Sequence, residues 1–139
     1  EVIEEENYQI KSLLPVWNEK FALKMTENDS VFLIQLFDMF ANDIPERLNR
    51  IGTALETGNS EMVHREAHTI KGAAANLGGE RCRETAYILE KMVDQENLDR
   101  CKEQYSQLFQ DVELLLEQFA NFKDRYDSGD ELRNVSGAA

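Results

Sequence analysis

The sequence predicts an all-α fold, an up-and-down antiparallel four-helix bundle with an additional short N-terminal helix. Three observations predict it. Apolar residues recur in steps of three and four over long stretches, the period of a helix with one buried face. The breaks are few: only Pro15 and Pro45 occur, and "GNS" and "LGG" are the clearest interruptions. No stretch alternates apolar and polar residues as a half-buried strand does. Successive helices joined by short turns pack antiparallel to one another, which is how a bundle of this type is built.

Residues 1–15 carry four carboxylates in their first six positions and read as an acidic linker or the start of a first helix. Residues 16–124 form the predicted bundle. A short helix from Trp17 to Met25 can bury Trp17, Phe21 and either Leu23 or Met25. "TENDS" then supplies capping residues for a long helix. Its predicted stripe is Val31, Ile34, Phe37, Phe40, Ile44, Leu48, Ile51 and Leu55. Pro45 is expected to kink or divide this helix, because it lacks an N–H and crowds the preceding turn. Asn59 or Ser60 caps the next one, whose stripe is Val63, Ala67, Ile70, Ala74 and Leu77. Gly78 and Gly79 end it as a left-handed cap. A helix over about Glu80 to Val93 follows, with Cys82, Ala86, Leu89 and Val93 inward. The last helix sets Leu98, Cys101, Tyr105, Leu108, Val112, Leu115, Phe119 and Phe122 on one seam. "YDSGDELRNVSGAA" has no apolar period, so residues 125–139 are predicted to be a disordered tail.

Composition narrows the function classes. The 139 residues carry a net charge of −12, which argues against a nucleic-acid partner and against an anionic membrane surface. No apolar run reaches membrane-span length and no signal-peptide pattern opens the chain. Cys82 and Cys101 are too few for a disulfide framework and read as reduced core thiols, which fits a cytoplasmic domain. The opening Glu1, in place of Met, reads as a piece of a longer protein.

Chemistry concentrates in "REAHTIKGAAANLGG". His68 lies one residue past the buried Ala67, about 100° around the helix, so it belongs at the edge of the stripe or in solvent. Its neighbours three and four residues away are His64, Arg65, Lys71 and Gly72. Lys71 can reach a charge placed on His68. Gly72 removes a side chain beside the ring at a cost of roughly 1 kcal/mol relative to Ala. Ala75 continues the small surface one turn on. Close helix packing would also explain the glycine. An exposed imidazole with a free ring nitrogen can carry a phosphoryl group. Arg65, Lys71, Arg81 and Arg83 form a locally positive stretch that suits an acidic partner site. His64 and His68, spaced i, i+4, could in principle bind a metal. Arg65 stands where a metalloprotease motif needs glutamate, and no ligand set completes the site locally, so no metal is expected.

The stretch from His68 through Thr69, Ile70, Lys71 and Gly72 to Leu77 and Gly78 resembles the motif of histidine-containing phosphotransfer (HPt) domains of bacterial multistep phosphorelays. The upstream "FLIQLFDMFANDIPERLNRIGTALETGNSEMVHREA" is similar to that family as well, and the resemblance covers roughly residues 20–120. It implies that His68 takes a phosphoryl group from the aspartate of one response-regulator receiver domain and passes it to another. It implies that Lys71 stabilises the phosphohistidine and that Gly72 keeps access open, with His64, Arg65 and Ala75 beside them. The receiver would supply Mg²⁺, and the domain itself would hold no cofactor. The resemblance also implies a cytoplasmic module, expected to be a monomer, such as the cytoplasmic part of a membrane-bound sensor histidine kinase. No ATP-dependent kinase activity is expected of the chain itself, which lacks a Gly-rich phosphate loop. The rival reading is a non-catalytic helical adaptor or dimerisation bundle, built on the seam from Leu98 to Phe122.

Overall fold

The computed structural model describes residues 14–95 and 98–129, and they form five helices: α1 (Glu19–Met25), α2 (Ser30–Thr57), α3 (Ser60–Asn76), α4 (Glu80–Asp94) and α5 (Leu98–Asp127). Helices α2 to α5 close a ring in which α2 packs on α3, α3 on α4, α4 on α5, and α5 back on α2, while α1 leans on α2. Neighbours in sequence are thus neighbours in space, as short turns require.

Three of the helix starts are capped by side chains. Asn18 accepts from the Phe21 N–H, Asp29 from that of Phe32 and Asn59 from that of Met62, each satisfying an otherwise orphaned donor. Helix α1 therefore begins two residues later than the sequence suggested. Trp17 lies ahead of it, and its indole N–H donates to the Leu77 carbonyl at 2.7 Å. Phe21 and Met25, two of the predicted inward residues, are exposed, and Ala22 is buried instead. On α2 the stripe starts at Ser30 and Leu33, whereas Val31 is half exposed. From Phe37 to Leu55 the predicted inward residues are buried. Pro45 does not divide the helix, which runs unbroken from Ser30 to Thr57.

The inward faces of α3 and α4 are those predicted, with Glu66, Thr85 and Glu90 added. Gly78 is left-handed at φ 79°, but Gly79 is not. Gly79 is the N-cap of α4, with φ −79°. Both glycines also answer a close approach. A Cβ on Gly78 would stand 2.7 Å from the Asn18 carbonyl oxygen, and one on Gly79 would stand 2.6 Å from a Leu115 methyl. The α5 seam is buried except at Leu98 and Tyr105, which are half-buried, and the Tyr105 hydroxyl donates to the Leu48 carbonyl. Helix α5 continues to Asp127, so the first three residues assigned to the tail are helical, and Arg125 pairs with Glu19. Residues 130–139 of the predicted tail and 1–13 of the predicted linker lie outside the described residues. The end of the lead-in is tied down: the Leu14 and Pro15 carbonyls accept three hydrogen bonds from Arg81.

One end of the core is aromatic. Phe37 stacks on Phe119 with centroids 3.9 Å apart, and Trp17 meets Phe37, Phe119 and Phe122 edge to face. On the other side of α3, the buried Glu66 carboxylate is held by Arg47 at 2.8 Å and Arg50 at 3.2 Å. These contacts fix how α3 is rotated, and that rotation positions the candidate site.

Candidate functional site

Ala67 and Ile70, both fully buried, anchor the middle of α3 against the core. The residue between them and just past Ala67 must therefore lean outward. The His68 side chain is 63% exposed. Its Nδ1 lies 2.9 Å from Oε2 of Glu90, which reaches across from α4. An ionised carboxylate can only accept, so Nδ1 is the protonated nitrogen and Nε2 keeps its lone pair. Among the described residues no hydrogen bond or ion pair engages Nε2.

Glu90 is the hub. Lys71 Nζ stands 2.8 Å from its other oxygen, Oε1, in an ion pair that is off the line of an ideal hydrogen bond. The same ammonium sits 5.2 Å from the centre of the Tyr87 ring, and Lys91 faces that ring as well, at 5.4 Å. Burial alone would raise the Glu90 carboxyl. The contacts from Lys71 and His68 outweigh it and leave the carboxyl below its ordinary value. Glu90 is thus charged near neutral pH, as the Nδ1 assignment needs.

His64 joins the group one turn before His68. Its Nδ1 is 2.9 Å from Asp94 Oδ1 and its Nε2 is 3.5 Å from Glu90 Oε2. Gly72 leaves open space, because a Cβ built there meets nothing within 4 Å. Close helix packing therefore does not account for this glycine. Ala75 is half-buried on the same helix. Arg65 is exposed and turns to Met62 Sδ and the Glu66 carboxylate, away from Glu90. Arg81 and Arg83 lie nine and seven residues before Glu90 on α4, roughly 13 and 10 Å along its axis. The predicted positive stretch is therefore spread out, and Lys71 is its member at the site. Among the described residues no group of three or more His, Cys, Asp or Glu is arranged to hold a metal ion.

His64, His68, Lys71 and Gly72, which sequence reasoning named, thus lie together on α3, and Glu90, Asp94 and Tyr87, which it did not name, face that group from α4. For Glu90 a signal existed: it falls four residues after Ala86 and three before Val93, a carboxylate set among buried positions. Asp94 and Tyr87 carried none, because only the packing of α4 on α3 brings Asp94 to His64 and Tyr87 to Lys71.

A helical bundle that presents an exposed imidazole, held by a carboxylate on one nitrogen, fits a class of group-carrying domain. The Hpt domain family matches residues 35–122, more than half of the chain. The chain belongs to the Hpt domain family, and its function is histidine phosphotransfer in a phosphorelay. Members of this family are phosphoryl carriers rather than kinases and work with receiver domains. The fold is similar to that of histidine-containing phosphotransfer protein B (HptB) from Pseudomonas aeruginosa PAO1. That match has a TM-score of 0.75 and 23% sequence identity, and covers 81% of this chain and 97% of that one. A search of curated proteins found no match. No helix among the described residues is long and apolar enough to cross a membrane.

Proposed function

We propose that His68 is the phosphoacceptor, through Nε2, and that Glu90 and Lys71 are the groups that make it one. The observation that carries this reading is the asymmetry of the ring. Nδ1 is engaged by a buried carboxylate, while among the described residues no hydrogen bond or ion pair engages Nε2 on its exposed side chain. His64 lacks that asymmetry, since both of its nitrogens face carboxylates.

In the proposed step Nε2 attacks the phosphorus of a receiver's aspartyl phosphate. The N–P bond forms, the P–O bond to the aspartate breaks, and the aspartate leaves as a carboxylate. The attack puts positive charge on the ring, and the Glu90 carboxylate at Nδ1 offsets it. Nδ1 keeps its proton throughout. Lys71 rests on Glu90 and the Tyr87 ring, one turn from His68, and exchanges that contact for a phosphoryl oxygen. Gly72 leaves room for the incoming receiver, since an in-line approach needs an unobstructed face. Reversal of the same step hands the group to a second receiver. Mg²⁺ belongs to the receiver in this scheme, and the bundle itself uses no metal or nucleotide. We read the domain as a monomer of the cytoplasm.

The adaptor or dimerisation reading rested on the seam of α5. That seam is spent inside the bundle, with Leu108, Val112, Leu115 and Phe122 all essentially inaccessible. The deciding experiment mixes the domain with a panel of phosphorylated receivers and Mg²⁺ and follows labelled phosphate, with His68→Gln in parallel. An acid-labile, alkali-stable phosphate on the wild type and none on the variant is the expected result. Transfer that persists in His68→Gln moves the site elsewhere, and no transfer from any receiver to the folded domain defeats the carrier role at His68.

A further inference from the structure

The least expected feature of the site is that two imidazoles share one carboxylate oxygen. Glu90 Oε2 is 2.9 Å from His68 Nδ1 and 3.5 Å from His64 Nε2, and the two rings are parallel within 4° with centroids 6.4 Å apart. The far nitrogen of His64 meets a second carboxylate, Asp94, at 2.9 Å. A neutral imidazole donates from one nitrogen and turns a lone pair out of the other. Facing two carboxylates, it leaves a lone pair against a negative oxygen whichever tautomer it takes. Only the doubly protonated ring matches both neighbours.

We infer that His64 is a proton-linked positioning residue: its protonation and the phosphorylation of His68 favour each other through the Glu90 carboxylate that they share. The inference rests on the reading of His68 as the phosphoacceptor. Transfer adds a net of about one negative charge to His68, because the phosphoryl group carries close to two and the ring, still protonated at Nδ1, carries one positive charge. The group would stand one helical turn from His64, on the side where Lys71 is the nearby cation. A proton taken from solvent onto His64 offsets part of that charge. Before transfer the effect runs the other way. A protonated His64 competes for Oε2 and weakens its hold on His68 Nδ1, so His68 becomes a poorer nucleophile.

Among the described residues, Glu90 and Asp94 are the charged groups paired with the His64 nitrogens. On α3, Arg65 turns toward Met62 and Glu66, and Glu61 is exposed in the first turn. On α4, Glu90 and Asp94 face His64, and Lys91 lies against Tyr87. Helix α2, the other helix packed on α3, commits Arg47 and Arg50 to Glu66 and brings no carboxylate within 4 Å of the His64 nitrogens among the described residues.

One net unit charge about 8 Å from a proton site, in water-like surroundings, changes its occupancy ratio by roughly 1.5-fold after screening by salt. By linkage, protonated His64 raises the affinity of His68 for the phosphoryl group by the same factor. The test begins with ¹⁵N-labelled domain phosphorylated by phosphoramidate. The ring nitrogen shifts of His64 are read at one fixed, near-neutral pH before and after phosphorylation. The protonated-to-neutral ratio of His64 is expected to rise about 1.5-fold, and by less in Asp94→Asn. The second arm measures the receiver-to-domain transfer equilibrium from pH 8 to pH 6 for the wild type and His64→Gln. Their ratio cancels every titration on the receiver. It is expected to move in favour of the wild type as pH falls. A ratio constant with pH would reduce His64 to a structural role and overturn the inference, as would an unchanged His64 on a domain phosphorylated at His68. If the ¹⁵N spectra place the phosphoryl group away from His68, the site assignment fails and this inference falls with it.

Discussion

At the scale of single residues, the site turns on which imidazole nitrogen is engaged. Glu90 decides this for His68, and its own charge is secured by Lys71. Its folded carboxyl is lowered, so the stability it contributes is present above the ordinary carboxylate range. That contribution is lost as pH falls through the lowered value. Glu90→Gln is therefore expected to cost on the order of 1 kcal/mol at pH 7, with the gap closing in acid. Urea denaturation of both proteins at pH 7 and pH 3 measures it, and a gap that widens in acid contradicts the sign. Glu90→Ala removes the acceptor at Nδ1 and is expected to slow phosphoryl transfer about tenfold, the worth of one charge-assisted hydrogen bond. Single-turnover transfer from a phosphorylated receiver reads that rate.

At the scale of elements, two glycines one and a half turns apart do opposite work. Gly72 sits mid-helix with nothing near its missing Cβ, whereas Gly78 is left-handed and pressed against the Asn18 carbonyl. Gly72→Ala is expected to stabilise the domain by about 0.5–1 kcal/mol, the ordinary gain in a helix interior. Gly78→Ala is expected to cost more than about 1 kcal/mol, from the left-handed backbone and the steric clash together. Denaturant midpoints rank the three proteins. Gly72→Leu is expected to keep the fold and slow transfer from receivers, since its side chain enters the approach to His68. Unimpaired transfer by that variant would leave the glycine without a function. Helix α2 shows the limit of pattern reading at this scale. Val31, Ile34 and Phe37 step as evenly as Ser30, Leu33 and Phe37, and only the positions of α1, α3 and α5 select the second set.

At the scale of the whole molecule, the bundle is one cooperative core with the site on its surface. Phe122 is fully buried at the aromatic end, touching Trp17 and Phe37, so Phe122→Ala is expected to cost about 3–5 kcal/mol. Chemical denaturation followed by circular dichroism measures the loss. The thiols report the same transition. Cys82 and Cys101 are buried, and burial pushes both thiols up from their ordinary values, so neither is a ready nucleophile in the fold. A thiol reagent is expected to label both at the rate of unfolding, and rapid labelling of the native domain would contradict this picture.

The local information in the chain was enough for the helices, their inward faces from Phe37 onward, and the exposed edge that carries His64, His68, Lys71 and Gly72. Periodicity and capping act within one or two turns, and those features depend on nothing more distant. The partners of the site were decided elsewhere. Glu90, Asp94 and Tyr87 belong to α4, and they reach the imidazoles and Lys71 on α3 only because the two helices pack in one rotation. Likewise, the open space at Gly72 and the close approach at Gly78 look alike in sequence and differ only in what the fold brings beside them. The sequence by itself determined that an imidazole stands at the edge of a helical bundle. The tertiary structure decided which of its nitrogens is free, because a carboxylate must arrive from another helix to hold the other one.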